Sequence, residues 1–345
     1  MTLAAQLGIE VPLIQAPMAG VQDEALAIAV SQAGGLGSIP AAMLDAEGLA
    51  GQIRSIQAAG VRAFNVNFFC HRNPVPDDAA EANWRATLRS YFAEFGLDPD
   101  NIPASPGRAP FDAESLAVVE ALRPPVVSFH FGLPDSTQLD RIKACGIQVM
   151  SSATSADEVR WLDQHGADVI IAQGLEAGGH RGSFLDNRLE AQADRDDLLS
   201  AALATTQKPV VAAGGIGGIE SIRQCMAAGA AGVQLGTSYL LCDEATTREV
   251  HRVALRDGTA STAITNVFSG RPARGIRNRA LDELGPISAH APAFPTASTA
   301  LAPLRSAAEA AGRGDFSPLW SGTDASGCME ISAGELTRRL AAAFD

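Results

Sequence analysis

Short apolar runs, several of them β-branched, recur along the chain at residues 11–16, 36–39, 63–68, 126–129, 148–151, 169–172, 210–213 and 232–235. Turn residues bound each run and an amphipathic segment follows it, which is the pattern of successive βα units. The runs are apolar on both faces, as parallel strands are when they pack inward on one another and outward on helices. Ala33-Gly34, Ala59-Gly60, Cys145-Gly146, His165-Gly166 and Ala228-Gly229 each stand just before a strand. Glycine there accepts the left-handed conformation that ends a helix. Asp23, Asp45, Asp112 and Ser155 occupy N-cap positions, and Asp157-Glu158 adds negative charge to a first turn. Eight such units predict an α/β fold, a (β/α)8 TIM barrel. A doubly wound open sheet is the competing arrangement, because strand count alone does not decide closure.

Two regions break the repeat. Residues 71–110 are rich in proline, carry Trp84, Arg85, Tyr91 and Phe92, and contain no clear strand. They read as an insertion after the third strand, on the face where barrels carry their chemistry. From about residue 248 to 317 the period is lost again, through Phe268-Ser-Gly-Arg-Pro-Ala-Arg-Gly275 and a stretch rich in proline and alanine. The expected organisation is therefore a barrel over 1–247, a smaller, mainly helical substrate or lid lobe over 248–317, and a segment 318–345 whose last helix, near 333–343, packs back on the barrel.

Composition supports a large core: of 345 residues, 46% are hydrophobic and 19% charged, which excludes extended disorder. The net charge of -13 is spread along the chain, so nucleic acid and anionic membrane surfaces are disfavoured as partners. An anionic cofactor would need local help from helix N-termini and glycine turns. The five cysteines include no C-x-x-C spacing, which fits a reducing compartment better than a disulfide framework. Neither a signal-peptide pattern nor an apolar run of membrane-spanning length is present, so the expected location is cytoplasmic.

Functional groups of a parallel barrel belong at strand C-termini. Gly214-Gly-Ile-Gly-Gly218 follows the seventh strand and opens a helix, while Gln234-Leu-Gly-Thr237 follows the eighth. Together they read as a phosphate site built from backbone N–H groups; the bland alternative is a pair of tight turns. A Rossmann fingerprint fails, since its third glycine would fall on Glu220. Gln173 to Gly182, after the sixth strand, puts His180 among three glycines beside Arg181. An imidazole there can exchange a proton near neutral pH, although a solvated loop histidine is the competing reading. His130 closes the fourth strand and either faces the pocket or packs in the core. His165, His71, His251 and His290 lie at a helix end, in the insertion or in the lobe, where catalysis is not expected, and no histidine spacing indicates a metal site. Met18 ends the first strand among small residues, and Asn65 and Asn67 alternate onto one face of the third, where an amide can reach a flavin edge.

With those residues the sequence resembles the nitronate monooxygenase family, formerly 2-nitropropane dioxygenase, and its class I bacterial members in particular. The resemblance spans nearly the whole chain through Gln15-Ala-Pro-Met-Ala-Gly20, Asn65-Val-Asn67, Ser128-Phe-His-Phe-Gly132, Gln173 to Gly182, Ala213-Gly-Gly-Ile-Gly217, Gln234-Leu-Gly-Thr237 and Gly270-Arg-Pro-Ala-Arg-Gly275. It implies an FMN barrel with no metal, in which Met18, Asn67, Gln173, Gly178, Gly215, Gln234, Leu235, Gly236 and Thr237 hold FMN and His180 is the catalytic base. It implies oxidation of an alkyl nitronate by O2 to a carbonyl compound and nitrite, with propionate 3-nitronate one candidate substrate. His130, Arg181 or a backbone donor is expected at the nitro oxygens, and a homodimer is compatible with the reading. Relatives line this pocket with tyrosines, whereas this chain has only Tyr91 and Tyr239, and Phe294 stands where a tyrosine is expected. The nearest alternative chemistry is an NAD(P)H-dependent quinone or enoyl-thioester reductase; a non-catalytic flavin-binding protein and a flavin-free phosphate-sugar barrel are further ones.

Overall fold

The computed structural model describes residues 1–103, 107–258 and 261–345. Its main sheet comprises β1 (Leu13–Gln15), β2 (Gly37–Pro40), β3 (Phe64–Phe69), β4 (Val126–His130), β5 (Gln148–Ala153), β6 (Val169–Gln173), β8 (Val210–Ala213) and β9 (Gly232–Leu235). The short strand β7 (Gly179–His180) lies outside this sheet. Neighbours run parallel in the order β1-β9-β8-β6-β5-β4-β3-β2. The remaining seam is closed by an Ile14–Leu36 bridge, with Leu36 N donating to Leu13 O (2.8 Å) and Gln15 N to Leu36 O (2.9 Å). The sheet is thus a barrel and not the open alternative. The expected strands are all present, two of them with the expected bounds and the others with ends displaced by at most two residues. The first starts at Leu13, after a tight turn in which Leu13 N meets Val11 O at 2.7 Å.

Closure depends on an alternation that the apolar composition conceals. Along β6, Ile170 and Ala172 face the helices, whereas Val169 and Ile171 face the barrel axis with Ile14, Val126, Met150 and Val211. Leu3 and Leu7 of an N-terminal helix (Leu3–Leu7) plug the bottom of that inner column. Period-two geometry then brings Gln173, Asn67, His130 and Gln234 to its upper, C-terminal end. The helices start and stop where the sequence indicates. Asp23, Asp45, Asp112 and Ser155 each accept a backbone N–H of the first turn. The five glycines before strands, Gly34, Gly60, Gly146, Gly166 and Gly229, have φ between 76° and 102°.

The regions outside the repeat are more ordered than their sequence suggests. Residues Asp78–Glu94 of the insertion form a helix whose Trp84, Leu88 and Phe92 join Leu301, Leu304 and Phe316 of the lobe in one core. Trp84 Nε1 donates to Ala297 O at 3.1 Å. Insertion and lobe therefore share a single packed body. The lobe is not only helical: β10 (Thr262–Thr265) and β11 (Ala273–Ile276) form an antiparallel sheet with β7. The last helix, Ala333–Ala341, packs on the barrel layer, where Thr337 Oγ1 meets Tyr239 Oη at 2.9 Å. No helix among the described residues is long and apolar enough to cross a membrane.

Candidate active site

The C-terminal ends of the barrel strands open into one cavity of about 1300 Å³, counted out to its mouth. Met18, Asn67, Gln173, Gly178, Gly215, Gln234, Leu235, Gly236, Thr237, His130 and His180 all line it. Leu235 contributes backbone only, because its side chain faces the outer layer. Asn67 is held from below: its Nδ2 donates to Ser128 Oγ (2.9 Å), which also receives Asn65 Nδ2 (2.9 Å). Met18 is set by Gln22, whose Oε1 accepts from Met18 N and from Gln15 Nε2, each at 2.8 Å.

His180 reaches the cavity from a strand. β7 pairs with β11, Ala273 opposite His180, so the imidazole is held by the lobe as well as by the loop after β6. Its own carbonyl accepts from Gln173 Nε2 (3.0 Å) and from His130 Nε2 (3.1 Å). The ring sits among Phe294 (5.3 Å between centroids), Trp320 (5.5 Å), Phe69 (6.2 Å) and Phe131 (6.3 Å). Burial, reinforced by the positive charges of Arg108 and Arg271, holds its pKa well below the ordinary imidazole range. The resting ring is neutral. Its Nε2 is 2.8 Å from Ser269 Oγ, which is 3.3 Å from Arg271 O. A carbonyl can only accept, so the hydroxyl proton goes to Arg271 O, Nε2–H donates to Ser269, and the lone pair falls on Nδ1.

His130 is similarly neutral, its pKa lowered to about 4 chiefly by burial. Both its nitrogens are used, Nε2–H on His180 O and Nδ1 accepting from Ser152 Oγ at 3.0 Å. It lines the cavity but has no donor to spare for a nitro group. Arg181 is a plain correction: it lies outside the cavity, fully buried, donating to Gln173 O and Gly174 O (2.7 Å each) and to Gln192 Oε1 (2.8 Å). In extended backbone the residue after an inward His180 points the other way.

Residues that sequence reasoning passed over complete the site. Arg108, Trp320 and His251 line the cavity. His251 is buried, its Nε2 has no partner, and desolvation lowers its pKa to about 4. His71 is buried against Phe294 at 4.8 Å, with both ring nitrogens lacking a geometrically sound hydrogen bond. Only their positions in the insertion and lobe stood against them, and no local pattern marked them. No tyrosine lines the cavity among the described residues: Tyr91 is in the lobe core and Tyr239 behind the barrel.

The donor set suits a flat, polar-edged group with an anionic tail. Gln234 Oε1 is buried without a partner, an acceptor that lacks a donor. After β8 the backbone turns through Gly214 and Gly215 into a helix (Ile219–Ala227) whose N-cap, Gly218, has no atom within 4 Å of where a Cβ would stand. Gly218 N is itself taken by Ser221 Oγ at 3.1 Å, so the N–H groups this end can offer an anion are those of the helix's first turn. The Asp324 carboxylate shares this end, lying against Gly217, with Oδ1 drawn onto Ser326 N (2.9 Å) and Oγ (2.6 Å).

Fold and site together define a TIM-barrel enzyme with its chemistry at the strand C-termini, where the neutral imidazoles of His130, His180 and His251 line a cavity edged by glycines. The particular family follows from comparison with known proteins. The model of the nitronate monooxygenase family matches residues 1–343, and the chain belongs to that family. It is 42% identical to a nitronate monooxygenase of Pseudomonas aeruginosa, over 97% of this chain and 96% of the relative. A nitronate monooxygenase of Paraburkholderia phytofirmans is 38% identical over 97% and 92%. Among solved structures, nitroalkane oxidase from Streptomyces ansochromogenes superposes with a TM-score of 0.88 at 37% identity, covering 98% and 97% of the two chains. FabK from Thermotoga maritima, at 24% identity and a TM-score of 0.73, shares the fold. The protein is an oxidoreductase of the nitronate-oxidising kind.

Proposed function

We propose that the protein is an FMN-dependent nitronate monooxygenase that uses O2 to convert alkyl nitronates into carbonyl compounds and nitrite, with His180 as the base for substrates that arrive as neutral nitroalkanes. The observation that carries this reading is the neutral His180 ring, its Nε2 committed to Ser269, in a cavity shared with glycine turns and the unpartnered Gln234 Oε1. Asn67, Gln173 and Gln234 would meet the edge of FMN, Met18 its ring face, and Gly215, Gly236 and Thr237 its phosphate side. Bound there, FMN supplies the electron acceptor for the nitronate. The aromatic walls exclude water from the imidazole, and Nδ1 takes the proton from the carbon acid. Five unpaired cysteines support a reducing, cytoplasmic setting.

The visible spectrum of the purified protein tests the cofactor, and oxygen uptake with propionate 3-nitronate and with simple alkyl nitronates tests the reaction. Rapid bleaching by NADH without oxygen would assign reductase chemistry instead. A nitronate has already lost its proton, so His180→Asn is expected to lower kcat/KM for 2-nitropropane by about 100-fold or more, the range of general-base contributions. The same variant should leave turnover of propane-2-nitronate much closer to wild type. Equal losses on both substrates with FMN still bound would remove the base assignment.

A further inference from the structure

Arg108 lines the same cavity as His180, Phe69 and Trp320. Its backbone is pinned at the rim: Ala109 N donates to Ala42 O (3.0 Å) beyond β2, and Phe111 N donates to Phe69 O (2.7 Å) at the end of β3. Pro110 bridges to Phe69 as well. The half-buried guanidinium has no hydrogen-bond or carboxylate partner among the described residues. The other cations at this end are engaged. Arg271 stacks 4.0 Å over Phe131 and donates to Ser183 O and to Asn187 Oδ1 (3.0 Å). Arg305, whose charge acts on Arg108, pairs with Glu309 at 2.7 Å. Among the described residues Asp324 is the one carboxylate lining the cavity, and it lies beyond β8, across the barrel from β3.

An unpaired guanidinium half-removed from water loses hydration that only an anion replaces well. Among the described residues the walls around it offer no tyrosine hydroxyl, and both His130 nitrogens are engaged. We propose that Arg108 is the anion receptor of this site, its guanidinium fork pairing with the two oxygens of the nitronate group. The proposal rests on the nitronate reading above and names the group that selects the substrate's charged form. A planar fork matches a planar, two-oxygen anion, and the match is poorer for a neutral nitro group, whose oxygens carry less charge. As the carbon proton leaves a nitroalkane, charge grows on those same oxygens, so Arg108 also stabilises the transition state of proton removal.

The effects separate by substrate. In Arg108→Gln, KM for propane-2-nitronate rises about 10- to 100-fold, the range of a lost charge-assisted hydrogen bond. With 2-nitropropane kcat falls while KM changes little. Arg108→Lys, which keeps the charge but not the fork, lies between. The acidic limb of kcat/KM for 2-nitropropane moves upward in Arg108→Gln, because His180 is faced by Arg108, Arg271, His130 and His71 and loses the first of these. A readout independent of turnover is calorimetric titration of the holoenzyme with sodium isobutyrate, an anion that puts a planar two-oxygen group on the carbon skeleton of 2-nitropropane. The wild type binds it, and Arg108→Gln binds it at least 10-fold more weakly. Equal isobutyrate affinity in both proteins, or none in the wild type, overturns the proposal. Failure of the nitronate reading looks different: no nitronate-dependent oxygen uptake, with the isobutyrate difference intact.

Discussion

Arg181 shows how adjacent residues in one motif divide between two tasks. His180 faces the cavity, while Arg181 turns back and holds the carbonyls of Gln173 and Gly174 from behind. Gln173 in turn grips the far side of the loop, its Oε1 accepting from Gly182 N (2.8 Å) and its Nε2 donating to His180 O (3.0 Å). Arg181 thus positions His180, the proposed base, from outside the cavity. Arg181→Gln strands buried carbonyls and is expected to lower stability by about 2–4 kcal/mol, read from urea unfolding. It should also reduce kcat for 2-nitropropane with FMN still bound, and Arg181→Lys should recover part of each loss. The loop was legible as a site from its glycines and imidazole. The direction of Arg181 was not, because it depends on His180 being in a strand, and two residues leave no hydrophobic period to read.

That strand is the clearest case of an element beyond the reach of local pattern. β7 exists because β11, distant in sequence, offers it an edge. Gly270-Arg-Pro-Ala-Arg-Gly275 stands out as a motif, but spacing does not reveal its pairing partner. The eight barrel strands were legible for the opposite reason, since each is a local run bounded by its own cap and stop. Close backbone approach sets a demand at Gly178, where a Cβ would stand 2.5 Å from Gly322 N and 2.6 Å from Ser321 C. Gly178→Ala must push the segment carrying Trp320 and Gly322 away from the loop. The expected outcome is an FMN dissociation constant raised about 10-fold or more and a melting temperature lowered by several degrees, by flavin release and by calorimetry.

At the scale of the whole molecule, the neutral histidines tie stability to pH. His71, His130 and His251 have folded pKa values lowered to about 4, in each case mainly by burial, against an ordinary value of 6.5. Between those limits the unfolded chain binds protons that the folded chain refuses, so stability is complete above pH 6.5 and is lost as pH falls toward 4. Each histidine contributes about 1–3 kcal/mol to that loss as an upper range. His251→Phe should flatten the decline of the urea midpoint between pH 6.5 and 4; an unchanged slope would show that the ring does not carry this share. The acidic total charge was legible, and so was the barrel. The joint body of insertion and lobe was not, because its core joins Trp84 to Leu301 and Phe316 across a long stretch of chain.

The placement of His180 on β7 has a mechanical consequence. In many enzymes a cover opens and closes over a base that stays on the scaffold, and each can be adjusted without the other. Here the proposed base, His180, is on the edge strand by which the lobe is stitched to the barrel. Opening that seam would withdraw the His180 imidazole together with the roof, so on the proposed reading admission of substrate and readiness to react would be governed by one coordinate. Inherited changes that loosen the lobe for bulkier substrates would then be felt at the imidazole, tying substrate breadth to the pace of the proposed proton removal.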